Sequence, residues 1–409
     1  GTRELMIATR LGMSIRFRSI ITVLGLLLCA AVRGQHGIDL NPRRGITFQK
    51  DSIFKLTLRF RMQNRFALFS ENGDDLSVGS TDIRVRRMRL RFEGFVLTPK
   101  LQYKVQLGFS KADMDLVEGT TAQPVRDAVI WYSPVKHWTF GIGQTKLPGN
   151  RQRTISSGQQ QLPERSIVNG LFTLDRDMGL FGTWDSADER MPMSVKAALT
   201  TGEGRGADPG DKGLCYTVRA EWQPLGAFTN GGDDFEGDLE REPEPKLAVA
   251  AGYSLNDHAR RAGGQLGESL PGGQERTLKV FIADVLFKHR GTSFSAEFLQ
   301  RDVEGAPIVT DGVHSVRIME GQGLNAQLGR MIGKKGYELA ARYSLVLPGA
   351  RIAAAETRRE EAWLGCSRYI NHHRVKVQAA VNYAWRAGIA DLDHVPNKWG
   401  LWLQMELGI

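Results

Sequence analysis

The sequence predicts an all-β fold: a transmembrane antiparallel up-and-down β-barrel of about 16 strands. Three observations carry that expectation. Period-two alternation of apolar and polar residues recurs along the chain. An export-type apolar segment stands near its beginning, and beyond residue 34 no apolar run reaches the roughly 18 residues a spanning helix needs. A chain that crosses a membrane without such helices must do so as a closed sheet, because every backbone polar group has to be satisfied inside the lipid.

Taken in order, the first element is residues 1–34. "SIITVLGLLLCAAV" (Ser19–Val32) is preceded by Arg16 and Arg18 and followed by "RGQ". A basic flank, a short apolar core and small residues near its end make a secretory signal peptide. Cleavage is expected between Gly34 and Gln35, and Met13 is the expected natural start. Cys29 follows Leu28 where a lipidation site needs a small residue, which argues against a lipoprotein. Residues 35–409 are then one outer-membrane barrel domain. The whole chain has 409 residues and a formal charge of +9. Residues 1–34 hold five arginines against one glutamate, leaving about +5 for the rest. Charge placement therefore matters more than its total. The composition, 41% hydrophobic with a mean hydropathy of −0.29, excludes a helical membrane protein and points away from disorder.

The first strand is "FKLTLRFRMQNRF". Phe54, Leu56, Leu58, Phe60, Met62 and Phe66 alternate with Lys55, Thr57, Arg59, Arg61, Gln63 and Arg65, Asn64 being the one polar residue in the apolar row. Successive strand side chains point to opposite faces, so this strand has one greasy face and one cationic face. "LQYKVQLGFS", "CYTVRAEW", "YELAARYSL" and "WGLWLQMELGI" repeat the pattern, with Gly, Asn and Asp clusters between. About 375 residues at roughly 20–25 per strand and connection give about 16 strands. A soluble β-sandwich also alternates. It is disfavoured here by aromatics near the ends of the apolar rows (Phe54, Phe60, Phe66, Phe92, Phe109, Trp138, Phe140, Trp222, Tyr343), as membrane interfaces select.

The second strand, "IRVRRMRLRFEG", changes register near Arg86 and Arg87, since Ile83 and Val85 are odd-numbered whereas Met88, Leu90 and Phe92 are even. A β-bulge there keeps the faces consistent. It sends Arg84, Arg86, Arg89 and Arg91 to the face of Arg59 and Arg61, with the direction of Arg87 open. On the lipid side each arginine would cost about 2–4 kcal/mol at the midplane, so these cations are expected in the lumen. There they form a positive field whose planar forks suit phosphate or carboxylate oxygens. The competing reading is a wide wall of mixed charge, in which Glu93, Glu221, Glu297, Glu338 and Glu406 pair with some of the arginines. The candidate anion pathway on these two strands is Lys55, Arg59, Arg61, Arg65, Arg84, Arg86, Arg89 and Arg91.

"RVRRMRLRFEG" followed by "FGIGQTKLPGNRQRTISSGQQQLPERSIVNGLFTLDRDMG" resembles the phosphate-selective porin O and P family. "FEGDLEREPEPKLAVAAGYSLNDHARRAGGQLG", "FIADVLFKHRGTSFSAEFLQRD" and "GCSRYINHHRVKVQ" are similar to its Bacteroidota versions. The resemblance implies a 16-stranded homotrimeric porin in outer-membrane lipid, with a long loop folded into the lumen and inward cations conducting small anions such as phosphate. The segment from Pro148 to Arg176 would be that loop. Its cations Arg151, Arg153, Arg165 and Arg176, with Lys146 at the preceding strand end, join the candidate pathway.

No other constellation carries chemistry. The acidic stretch "DDFEGDLEREPEPK" lacks the ligand spacing of a calcium loop and reads as a solvated hairpin, with Arg241 pairing internally. His372 and His373 are adjacent, so on a strand they face opposite ways and cannot share a metal. Neither a metal nor a cofactor is expected, and nothing indicates a nucleic-acid partner. HExxH, GxSxG and phosphate-loop motifs are absent, which disfavours an outer-membrane hydrolase. A plugged barrel acting as an adhesin is the other alternative. Cys215 and Cys366 either pair or stay as inert thiols.

Overall fold

The computed structural model describes residues 37–41, 45–114, 123–206, 212–386 and 397–409. The expected leader over residues 1–34, its cleavage after Gly34 and the start at Met13 lie outside the described residues. Two short strands, β1 (Gly37–Asn41) and β2 (Gly45–Lys50), form a hairpin ahead of the wall. Among the described residues sixteen antiparallel strands then close a barrel. They begin with β3 (Phe54–Ser70), β4 (Val78–Val96), β5 (Thr98–Gly108), β6 (Val125–Tyr132), β7 (Trp138–Lys146), β8 (Arg176–Asp185), β9 (Met193–Thr200) and β10 (Cys215–Trp222). β11 (Lys246–Ala259), β12 (Arg276–His289) and β13 (Thr292–Val303) follow. After the small hairpin of β14 (Ile308–Thr310) and β15 (Ser315–Arg317) come β16 (Gly321–Ile332), β17 (Tyr337–Pro348), β18 (Arg359–Asn371), β19 (Val375–Arg386) and β20 (Lys398–Gly408). β20 returns to β3 in register from Gly400↔Phe69 to Gly408↔Arg61. Ile409 and Phe60 exchange two backbone hydrogen bonds just beyond, and β2 takes the remaining edge of β3 from Ile46↔Leu58 to Lys50↔Phe54. The expected barrel of about 16 strands is what forms.

The wall is oily outside and polar inside, the reverse of a soluble protein. On β20, Leu401, Leu403, Met405 and Leu407 are exposed on the outer surface, whereas Gln404 and Glu406 are each 1% exposed inside. A sandwich would bury that leucine row in its core. The same alternation separates the two cysteines: Cys215 is buried inside and Cys366 is exposed outside, and both are free thiols.

The bulge falls where the register change required it. Gln63 pairs with Arg87 and Asn64 with Val85, which leaves Arg86 as the extra residue. Arg84 then opposes Arg65, Arg89 opposes Arg61, and Arg91 opposes Arg59. Arg87, whose direction alternation left open, faces inward and donates to Gln63 Oε1 at 3.0 Å.

The two rims differ. One carries the long connections, including 147–175, 260–275 and 304–320; the other carries tight turns such as 290–291 and 333–336, with 223–245 as its one long segment. Segment 147–175 lies inside the barrel. Two short helices, α1 (Arg151–Thr154) and α2 (Ile167–Phe172), stiffen it, the Ser166 side chain capping α2 by accepting from Asn169 N. Leu162 packs among Ala67, Ala340, Trp363, Ala380 and Trp402, and Val168 and Phe172 pack with Val280, Ile282, Leu299 and Val346. These inward residues come from strands on several sides of the wall.

The acidic stretch departs from expectation. It is not a solvated hairpin: Glu236 is 5% exposed and Asp238 and Glu242 are fully buried. The cause is a lysine from the wall. Lys288 Nζ donates to the carbonyls of Gly232, Phe235 and Gly237 at 2.6–2.8 Å, drawing the segment into the barrel mouth. Asp238 accepts from Gly291 N, and Glu242 from Thr229. Arg241 does not pair internally but donates to the Gly333 carbonyl.

Candidate functional site

The site grows from the pairing of β3 with β4. Alternation puts Arg59, Arg61 and Arg65 inward on one strand, and the bulge keeps Arg84, Arg86, Arg87, Arg89 and Arg91 inward on the other. Eight guanidinium groups on two adjacent strands repel one another unless compensated. Four carboxylates are spread among them: Asp82, Glu93, Glu164 and Glu406. Glu93 takes Arg59 at 3.1 Å and also Arg91; Asp82 takes Arg84 at 2.8 Å and also Arg65. Glu406, across the barrel seam, sits 3.5 Å from Arg61 and accepts from Gln63 at 2.6 Å.

Glu164 is the hub, and it comes from the lumen segment. Its carboxylate binds Arg65 at 3.0 Å, Arg86 at 2.8 Å and Arg87 at 2.9 Å. Burial alone would raise its pKa, but Arg87 and Arg86 hold it well below the ordinary carboxylate range. The two neighbouring strands are thereby tied to the segment through one anion. The set is still cationic: Arg89 has no carboxylate partner among the described residues and stands in the field of Arg126, Arg61, Arg176 and Arg87.

Between β3, β4 and the lumen segment lies a cavity of about 680 Å³. Six guanidinium groups line it (Arg65, Arg84, Arg86, Arg87, Arg153, Arg165), with Asp82, Glu164 and the rings of Phe69 and Trp402. It opens near the long-loop rim, since Phe69 is at the end of β3 and Ser80 near the start of β4.

The segment is anchored round the rest of the wall. Arg61 donates to Ser157 Oγ, Lys376 and Gln378 to the Gln160 carbonyl, and Arg342 to the Glu164 carbonyl. Glu297 accepts from Asn150 and from Gln152 N, and Arg301 donates to the Leu171 carbonyl. Near the middle it meets the segment rising from the opposite rim: Glu236 N donates to the Gln159 carbonyl at 3.1 Å, and Gln161 N to Glu236 at 2.9 Å. The ring nitrogens of the half-buried His373 are covered beside this junction, its ring 5.3 Å from Phe235 and 5.1 Å from Tyr369.

Of the thirteen sequence candidates, Arg65, Arg84, Arg86, Arg153 and Arg165 meet in the cavity, and Arg59, Arg61, Arg89 and Arg91 continue the same wall. The other four stand apart. Lys55 is at the short-turn rim opposite Phe95. Arg151 is on the far side, bound to Asp284 at 2.9 Å and Glu221 at 2.7 Å. Lys146 donates to the Thr154 carbonyl, bracing the base of the segment. Arg176 binds Asp127 at 3.0 Å and Asp175 at 3.4 Å. Sequence reasoning missed Arg126, Glu164, Asp82 and Trp402. Period-two counting reaches Asp82 and Trp402 on their strands, but Arg126 sits at a second bulge, and Glu164, on a loop, has no periodicity to expose it. Among the alternation-based partners, Glu93, Glu221 and Glu406 do pair with arginines, whereas Glu338 accepts from Tyr369 and Gln161.

A closed sixteen-stranded antiparallel barrel with an apolar outer wall and a charged lumen has the architecture of an outer-membrane porin. Residues 54–231 match the family described as phosphate-selective porin O and P. No curated protein matches the sequence. In fold the chain is similar to the anion-selective porin from Comamonas acidovorans, with TM-score 0.54 and 10% identity over 87% of this chain and 100% of that one. It is likewise similar to the outer membrane channel DcaP of Acinetobacter baumannii, with TM-score 0.53 and 12% identity over 89% and 100%. OprB of Pseudomonas putida gives TM-score 0.53 and 12% identity over 88% and 95%. These are likenesses of fold.

Proposed function

We propose that this porin is an anion-favouring diffusion channel, with phosphate and other oxyanions as candidate solutes. The observation that carries the reading is the excess of cation on this wall, eight guanidinium groups on β3 and β4 against the four carboxylates spread among them, with Arg89 lacking a carboxylate partner among the described residues. In a narrow, partly desolvated passage that excess sets the sign of the field. Arg59, Arg61, Arg65, Arg84, Arg86, Arg89 and Arg91, with Arg153 and Arg165 from the lumen segment, are the proposed pathway; Lys55, Lys146 and Arg176 flank it and Arg151 anchors the segment. Export by a cleaved leader ending at Gly34 and assembly as a homotrimer in outer-membrane lipid belong to the same proposal. OmpT of Vibrio cholerae, a fold neighbour with TM-score 0.51, is described in a trimer form.

A second reading has one observation behind it. The two segments entering from opposite rims meet at Gln159, Gln161 and Glu236, as a plug would. Single-channel recording in a planar bilayer under a KCl gradient tests both. The anion reading expects an open channel with a reversal potential on the chloride side. A reversal potential on the potassium side refutes it, and the absence of any conductance favours the plug.

A further inference from the structure

The cavity beside Glu164 is built for more than a bare inorganic ion. Its polar side offers Arg84, with 47% of its side chain exposed, and Arg86, with 24%; Arg153 reaches in from the lumen segment. Its other side is aromatic. Phe69 and Trp402 pack edge to face at 5.2 Å, Arg65 lies 5.0 Å over the Trp402 ring, and Trp402 Nε1 is committed to Asn382 at 2.6 Å. These rings are fixed in place and stand on the inner wall, where hydration alone would select polar residues.

We infer that this cavity binds solutes made of a ring bearing an oxyanion, such as an aromatic ring carrying a phosphate or carboxylate. This rests on the anion reading above and narrows its solute class. A volume of about 680 Å³ is in the range of pockets that enclose small organic molecules and far exceeds the space one inorganic oxyanion needs. Arg84 and Arg86, whose Nε and Nη2 are taken by Asp82 and Glu164, meet the oxyanion through Nη1, while the ring lies against the partly exposed Phe69, which the buried Trp402 backs, and displaces water from it. Inorganic phosphate engages the first half of the site only. The position near the long-loop rim, the outward side in barrels of this kind, makes it an early site that an entering solute meets.

The experiment is block of chloride current through the full-length porin in a planar bilayer, comparing phenyl phosphate, benzoate and inorganic phosphate. Phenyl phosphate is expected to block at a concentration about tenfold lower than inorganic phosphate, the effect of one well-placed aromatic contact. Phe69→Leu should bring the two blocking concentrations together. Equal block by phenyl phosphate and inorganic phosphate in the unaltered porin overturns the inference, and so does a Phe69→Leu variant that keeps the tenfold ratio. Benzoate blocking as well as phenyl phosphate supports a site for ringed anions in general; phenyl phosphate alone supports one restricted to phosphorylated rings. A potassium-selective pore would refute the underlying anion reading instead, a result that block ratios do not imitate.

Discussion

Glu164→Gln removes one of the two carboxylates lining the cavity while keeping size and hydrogen-bonding capacity. Its effect can be worked from the geometry. A sphere of 680 Å³ has a radius of about 5.5 Å, and a unit charge at that distance with an effective dielectric constant near 20 contributes about 3 kcal/mol to an ion at the centre. Screening over a Debye length of about 10 Å at 0.1 M salt reduces this to about 1.7 kcal/mol, and one of about 3 Å at 1 M to about 0.5 kcal/mol. Loss of the charge should therefore raise anion occupancy of the cavity roughly fifteenfold at 0.1 M and roughly twofold at 1 M. The assay is reversal potential in matched KCl gradients at low and high ionic strength, with Arg86→Gln as the opposite perturbation. Glu164→Gln should shift selectivity further toward chloride, Arg86→Gln away from it, and both shifts should shrink at high salt. A Glu164→Gln channel with unchanged or lower anion preference would refute the claim that the β3–β4 arginines set the field. A shift independent of salt would point to a moved lumen segment.

Acid sensitivity follows from the same carboxylate. Arg87 and Arg86 against burial at Glu164, and Arg153 and Arg176 against burial at Asp175, hold both groups well below their ordinary range. Because the folded values are depressed, their contribution to stability is complete above the unfolded value of about 4 and is lost only as pH falls through the folded values. The difference in reversal potential between the unaltered and Glu164→Gln channels should thus stay level from pH 7 to pH 5, and a difference that vanishes within that window would show the Glu164 ion pairs to be absent. Leu403→Arg places a cation on the outer wall at a cost of about 2–4 kcal/mol near the midplane, and it should impair membrane assembly, scored as loss of the heat-modifiable band. Replacing residues 229–242 by a short Gly-Ser turn removes the segment held by Lys288 and should raise single-channel conductance. An unchanged conductance would mean that the passage does not run beside Glu236.

Much of this architecture is local and therefore legible in the chain itself. Period-two alternation assigns each strand residue to one of two faces whatever the strand's neighbours are. Phe54, Leu58 and Leu403 could thus be placed outside, and Arg61, Arg65 and Glu406 inside, and the register slip at Arg86 could be placed before any pairing was known. The expense of a charge in lipid made the cationic face the inner one. What alternation does not encode is which distant residues meet across a lumen. Glu164 neutralises part of the arginine wall from a loop some 77 to 99 positions away in sequence, and no periodicity marks it. Lys288 is an ordinary inward strand residue until three carbonyls of the acidic segment close on it, turning an expected solvated hairpin into buried structure. Arg151, one cation among several in the sequence, is committed by folding to Asp284 and Glu221 and so becomes an anchor. The chain alone thus determined the wall and the faces of its strands. Tertiary structure decided how much of the charge remains uncompensated, because ion pairing depends on three-dimensional proximity and falls off within a few ångströms.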